Sequence, residues 1–169
     1  MNYMEIKKCD IANGPGVRVS LFVSGCTHHC KGCFQPETWD FAAGRSFTAS
    51  TEAELSALLS PAYIAGLSLL GGEPMEPENR AVLTPFLKRL RAAYPDKTVW
   101  CYSGYTLEEL LDCGAGDTLK LLDVLVDGEF VESKKNIRLP FRGSENQRVL
   151  DVPRSLEAGM PVWVEKYKI

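Results

Sequence analysis

The 169-residue sequence predicts an α/β fold, with parallel strands inside and helices outside, curled into an open partial TIM-type barrel. Three observations lead there. Segments with strand and helix periodicity alternate along the chain, which calls for a parallel sheet with right-handed crossovers. Gly-containing pairs follow each of four predicted strands, where barrels and open parallel sheets both keep their chemistry. The chain is also too short for the ~250 residues of an eight-unit barrel, which leaves a partial one.

The first clear strand covers residues 18–24, an alternating run rich in β-formers that ends at Gly25. A helix follows from Thr51, read as the N-cap, with Glu54 completing a capping box ahead of Leu55, Leu58 and Leu59; it should stop near Pro61. Residues 67–70 are a short apolar run between Gly66 and Gly71-Gly72, the pattern of a buried strand entering a loop. Val82, Leu83, Phe86, Leu87 and Leu90 then recur at helical spacing until Pro95 closes the element. Residues 98–102 form the next strand. Thr106 caps a further helix, with Glu109 in the box position over Leu107, Leu110 and Leu111, before another strand begins at residues 124–126. No linker, repeat or low-complexity tract interrupts the chain, so one domain over 1–169 is expected.

Composition agrees with a folded chain: 45% apolar and 24% charged residues are near the averages for soluble globular proteins. A chain of this size buries roughly 70% of its unfolded surface, enough for a core without disulfides. Nineteen Lys and Arg against twenty-two Asp and Glu leave a net charge of −3, which argues against a nucleic-acid or anionic-membrane binder working through bulk electrostatics. The first eight residues hold no apolar run and do not resemble a secretory signal, so a cytoplasmic protein is expected. The uncharged stretch 55–72 is broken by Pro61 and Gly66 and does not read as a membrane span. Charge is uneven, with seven acids and one base over residues 34–79 but six bases and two acids over 134–154. That basic segment reads either as solvated surface or as a docking site for something anionic.

Of six cysteines, Cys9, Cys101 and Cys113 stand alone and read as small buried apolar residues. Cys26, Cys30 and Cys33 are packed into eight residues just after a strand. Three soft ligands so close converge on one metal centre, either zinc or an iron–sulfur cluster. Zinc would need His28 or His29, the only two histidines, as its fourth ligand. It would also lack the second, separated ligand pair usual in zinc ribbons. Three cysteines around a cube of four irons would instead leave one iron open as a substrate site.

The C-x3-C-x2-C loop followed by the aromatic Phe34, together with Gly71-Gly72-Glu73-Pro74 one strand later, resembles the cluster loop and GGEP loop of radical S-adenosylmethionine enzymes. Further stretches narrow the likeness: Asn13-Gly14-Pro15-Gly16-Val17-Arg18, Ser103-Gly104-Tyr105, and residues 123–128 and 141–148. These resemble the glycyl-radical activases that serve anaerobic ribonucleoside-triphosphate reductase. The likeness runs from about residue 13 to 151 and departs at Gln35, where Asn is expected, and at Glu145, where Ser is expected.

The resemblance implies a radical S-adenosylmethionine fold, a 4Fe-4S cluster held by Cys26, Cys30 and Cys33, and S-adenosylmethionine on the open iron. It also implies hydrogen abstraction from a glycine of the reductase and an electron donor such as a flavodoxin-type protein. By the same likeness Gly32, Cys33 and Phe34 lie beside the adenine or methionine of the cofactor, and Gly71, Gly72 and Glu73 meet its amino group. Ser103 and Asp127 would face the ribose or a monovalent cation. His28 and His29 would shield the cluster or sit in solvent. Gly14-Pro15-Gly16 and residues 142–148 read as turn and surface, or as the mouth that admits the partner's glycine loop. The competing readings are an activase of another glycyl-radical enzyme, a small-substrate radical enzyme, and a non-catalytic Cys/His zinc module.

Overall fold

The computed structural model describes residues 1–168. Its strands are β1 (Asn2–Asp10), β2 (Val17–Val23), β3 (Arg45–Ser46), β4 (Ile64–Gly71), β5 (Thr98–Tyr102), β6 (Val124–Asp127) and β7 (Arg148–Asp151). They form one sheet in the order β3-β1-β2-β4-β5-β6-β7. The four central strands β2, β4, β5 and β6 are parallel, whereas β1 with β2, β1 with β3, and β6 with β7 pair antiparallel. Helices α1 (Ala49–Leu59), α2 (Pro77–Ala93), α3 (Leu107–Asp112) and α4 (Gly116–Leu119) lie in the crossovers, and α5 (Val152–Ala158) follows β7. Each crossover moves one place in the same direction, so the parallel part is singly wound and has no point where strand order reverses.

Alternation along the strands separates two faces. Val19, Leu21, Val23, Leu67, Leu69, Val99, Cys101 and Leu125 pack in one cluster with Leu55 and Leu59 of α1, Leu83 and Phe86 of α2, and Leu107 and Leu110 of α3. The helices therefore cover this face. The opposite face carries Trp100, Val124, Val126 and Val149, with Tyr167 packed on them. It is also polar, with Arg18 and Ser20 of β2 and Ser68 of β4 buried. Arg18 donates from Nε to Ser68 Oγ (2.8 Å), from Nη1 to Thr98 Oγ1 (2.9 Å) and from Nη2 to the carbonyls of Leu67 and Thr98. Burial pulls its pKa down to about 10. Ser68 Oγ in turn donates to the Asn13 carbonyl. The Asn13–Arg18 motif thus ties the turn before β2 to the middle of β4 and the first residue of β5.

Several expectations need correction. The first helix is capped by Thr48 rather than Thr51; Thr51 is the N3 partner whose hydroxyl accepts from the Thr48 N–H. Ala49 and Ser50 extend the helix by a half-turn, which moves Glu54 out of the box position. The cap at Thr106 with Glu109 stands as expected. Strands β1 and β7 are not among the expected strands, because Glu5, Lys7 and Lys8 of β1 face solvent and break its apolar pattern, and β7 has only four residues. Of the three isolated cysteines only Cys101 is buried; Cys9 and Cys113 are exposed.

Candidate functional site

The loop after β2 carries the three clustered cysteines and is fixed at both ends. The Gly25 N–H donates to the Thr38 carbonyl (2.8 Å) and the Cys26 N–H to the Trp39 carbonyl (3.1 Å), which draws the loop against the turn that follows it. Cys26 is buried, while Cys30 and Cys33 are half-buried. Each sulfur faces main-chain N–H donors: those of His28 and His29 for Cys26, that of Phe130 for Cys30, and that of Gln35 for Cys33 (3.4 Å). Burial nonetheless pushes the Cys26 thiol up to about 11 and raises Cys30. Three sulfurs approached by N–H donors and at least half-shielded from water suit a cationic iron–sulfur cluster, which replaces their protons and leaves the thiolates hydrogen-bonded.

The loop after β4 meets this one through backbone. The Gly72 N–H donates to the Val23 carbonyl (2.8 Å) and the Glu73 N–H to the Gly25 carbonyl (2.7 Å). Gly71 has φ +102°, and a Cβ on Gly72 would stand 2.6 Å from the Gly25 oxygen. Side chains at these two positions would strain or separate the loops. The Glu73 carboxylate is buried and fully engaged. Its Oε1 accepts from the Met75 N–H (2.8 Å) and Ser103 Oγ (2.9 Å), and its Oε2 from the Gly104 N–H (2.7 Å) and His28 Nε2 (3.1 Å). Ser103 therefore reaches Glu73, and the Glu73 side chain holds protein groups.

The His28 side chain is only 9% exposed and is joined on both ring nitrogens, to Glu73 by Nε2 and to Glu129 Oε1 by Nδ1 (2.8 Å). Two carboxylate acceptors require both nitrogens to carry protons. Burial lowers the imidazole pKa, but the hydrogen bonds and charges of Glu73 and Glu129 outweigh it and bring the value to about 9. With both nitrogens taken, His28 offers no lone pair to a metal. His29 stacks on Trp39 with ring centroids 4.5 Å apart.

Cys26, Cys30, Cys33, Phe34, Gly71, Gly72, Glu73 and Ser103 all line one cavity of about 530 Å³ on the face of the sheet away from the helices. Gly32 and Asp127 are not among its lining residues. Gly32 turns beside the Glu132 carboxylate. Asp127 is fully buried: Oδ2 accepts from the Leu107 N–H (2.8 Å), and both oxygens accept from the Arg148 guanidinium. Both of its oxygens are therefore committed within the protein. The far wall comes from residues that carried no sequence signal of their own, including Phe130, Asn136 and Ile137. Phe130 packs on Phe34 at 4.9 Å. Gln147 holds this wall, accepting from the Gly143 and Ser144 N–H groups and donating to the Gly128 carbonyl (2.9 Å). The two departures lie at the edges of this arrangement. Gln35 serves through its main chain, and Glu145 accepts from Asn136 Nδ2 (3.0 Å) on the exposed surface.

The family model of the 4Fe-4S single cluster domain matches residues 12–150, which takes in all three cysteines and the Gly71–Glu73 loop. The anaerobic ribonucleoside-triphosphate reductase-activating protein of Pasteurella multocida is 46% identical over 150 residues, covering 87% of this chain and 95% of its own. That of bacteriophage T4 is 42% identical over 149 residues, with 88% and 93% covered. That of Escherichia coli K12 is 42% identical over 151 residues, with 88% and 97% covered. The chain belongs to the family of anaerobic ribonucleoside-triphosphate reductase-activating proteins. For a member of this family the zinc-module alternative falls away, because the matched domain is a 4Fe-4S domain. The likeness covers the reductase-activating proteins nearly end to end.

Proposed function

We propose that the protein activates an anaerobic ribonucleoside-triphosphate reductase by generating a radical on one of its glycines. The observation that carries this reading is the shared cavity: three cysteine sulfurs and the Gly71-Gly72 turn open onto one space, with backbone contact between their loops. Cys26, Cys30 and Cys33 would hold a 4Fe-4S cluster, with S-adenosylmethionine on the iron that they leave free. Bound there, the pair supplies one-electron cleavage of the sulfonium bond and a 5'-deoxyadenosyl radical able to take hydrogen from a glycine Cα.

The chain's own residues bind, orient and exclude water. Gly71 and Gly72 let the backbone approach the amino group of the methionine part, and Phe34 with Phe130 forms an apolar wall beside it. Glu73 acts through Ser103, Gly104 and His28 to fix this end of the cavity. The singly wound parallel strands, with helices on one face and the cavity on the other, are read as an open partial TIM-type barrel. Such a barrel has a side that a partner polypeptide completes, which keeps a reactive radical away from water. Residues between 136 and 147 of the basic segment 134–154 line that side, and the segment is read as the docking surface for the reductase. A flavodoxin-type protein suits the role of electron donor.

The test is anaerobic reconstitution followed by metal, sulfide and cleavage assays. The intact protein is expected to bind about four irons per chain, as one cubane requires. It should cleave S-adenosylmethionine only under reduction, and yield the glycyl doublet by electron spin resonance once the reductase is added. Cys30→Ala should lose the cluster, the cleavage and the doublet together. Cleavage that persists in that variant would refute the assignment.

A further inference from the structure

His28 connects more of this site than any ligand does. It sits between Cys26 and Cys30 on the loop after β2, yet its hydrogen bonds go to Glu73 after β4 (3.1 Å) and Glu129 after β6 (2.8 Å). The Glu73 oxygen that it meets is also held by the Gly104 N–H after β5 (2.7 Å). Its ring lies edge-on to Tyr105 with centroids 4.3 Å apart. Gly104 leaves the space for it, since a Cβ there would stand 2.6 Å from the imidazole Cδ2. One largely buried side chain thus braces the ends of all four parallel strands, and it does so beside the sulfurs without being free to ligate.

We infer that His28 is a positioning residue: a strut that holds the cysteine loop in register with the Gly71–Glu73 loop, so that cluster and S-adenosylmethionine meet in the right geometry. This rests on the proposed function and goes one step beyond it. The three sulfurs share one loop and do not need the strut to gather. The cofactor spans two loops and does. Residues that orient metal ligands from outside typically change affinity or activity by ~10–100-fold when lost, and the same scale is expected here.

The experiment compares reconstituted wild-type, H28A and G104A proteins, the last of which pushes the imidazole aside without altering its chemistry. H28A and G104A are both expected to keep their iron and sulfide content. Both should bind S-adenosylmethionine about tenfold more weakly and show a diminished change in the electron spin resonance spectrum of the reduced cluster when it is added. At saturating S-adenosylmethionine their cleavage rate should also stay below that of wild type, because misregistration lowers kcat as well as raising KM. E129A should show a smaller loss of the same kind, and E129Q, which keeps an acceptor for Nδ1–H, should recover most of it. Wild-type affinity and an unaltered spectral response in H28A would overturn the proposal. So would loss of the cluster in H28A, which would make His28 essential to cluster assembly. Failure of wild-type protein to cleave S-adenosylmethionine would instead count against the activase reading itself.

Discussion

Asp127 shows how a side chain can be buried at the end of a parallel strand and still lie off the reaction cavity. Its oxygens take the Leu107 N–H and the Arg148 guanidinium, which also pairs with Glu108. Asp127→Ala would leave a largely buried cation with only its outer partner and an α3 N–H with none. The expected cost is about 3 kcal/mol in urea unfolding, the scale of removing one partner of a buried charge pair. S-adenosylmethionine affinity of the folded fraction is measured alongside. A stability loss below about 1 kcal/mol, the size of one ordinary hydrogen bond, combined with weakened cofactor binding would return Asp127 to the cofactor site. Glu73 shares this character. A glutamate after Gly-Gly is visible in sequence, but its four hydrogen-bond donors lie up to 45 residues away along the chain.

The loop from Lys134 to Phe141 is the element that separates the cavity from solvent on its far side. Ile137 is 90% exposed and Phe34 63% exposed, with the Lys135 ammonium 5.1 Å above the Phe34 ring. An exposed apolar rim mixed with cations suits contact with an acidic protein surface, where charge speeds encounter more than it strengthens the complex. K135E/R138E is therefore expected to raise the KM for the reductase about tenfold at low ionic strength, and progressively less as salt screens the pair of reversals. A KM that does not change, or does not respond to salt, would return this segment to plain solvated surface. The helices lend the site less specificity. Each of α1, α2 and α3 buries a leucine-rich stripe against the same side of the sheet, and this fixes the strand ends without entering the cavity.

Over the whole molecule, acid stability follows from carboxylates held below their ordinary value of 4.5. Glu52 is lowered by hydrogen bonds from Arg89, Glu108 by those from Arg148, and Glu109 by the Thr106 N–H and hydroxyl. Groups with depressed folded values bind more protons when unfolded, so their stabilisation is complete above about 4.5 and fades as pH falls through the folded values. The His28 value of about 9 adds the opposite slope, a stabilisation complete only below its ordinary value of 6.5. Tm of the cluster-free protein should therefore rise modestly from neutral pH to about 6, hold to about 5 and fall below about 4.5. A decline that starts near neutrality would show that other groups dominate. Among the described residues no helix is long and apolar enough to cross a membrane, in keeping with the interrupted stretch 55–72.

What the sequence determined by itself was local: the cysteine spacing, the Gly-Gly-Glu turn, the cap at Thr106, and the four central strands with helices between them. Each is written in residues a few positions apart, where periodicity and turn chemistry act. Tertiary structure alone decided that Glu73 is held by His28, Ser103 and Gly104, that Asp127 belongs to Arg148, and that β1 and β7 flank the parallel strands antiparallel. Those partners are brought together by strand register across dozens of residues. A hydrogen bond that closes only when two distant strand ends align leaves no mark in the pattern of either one.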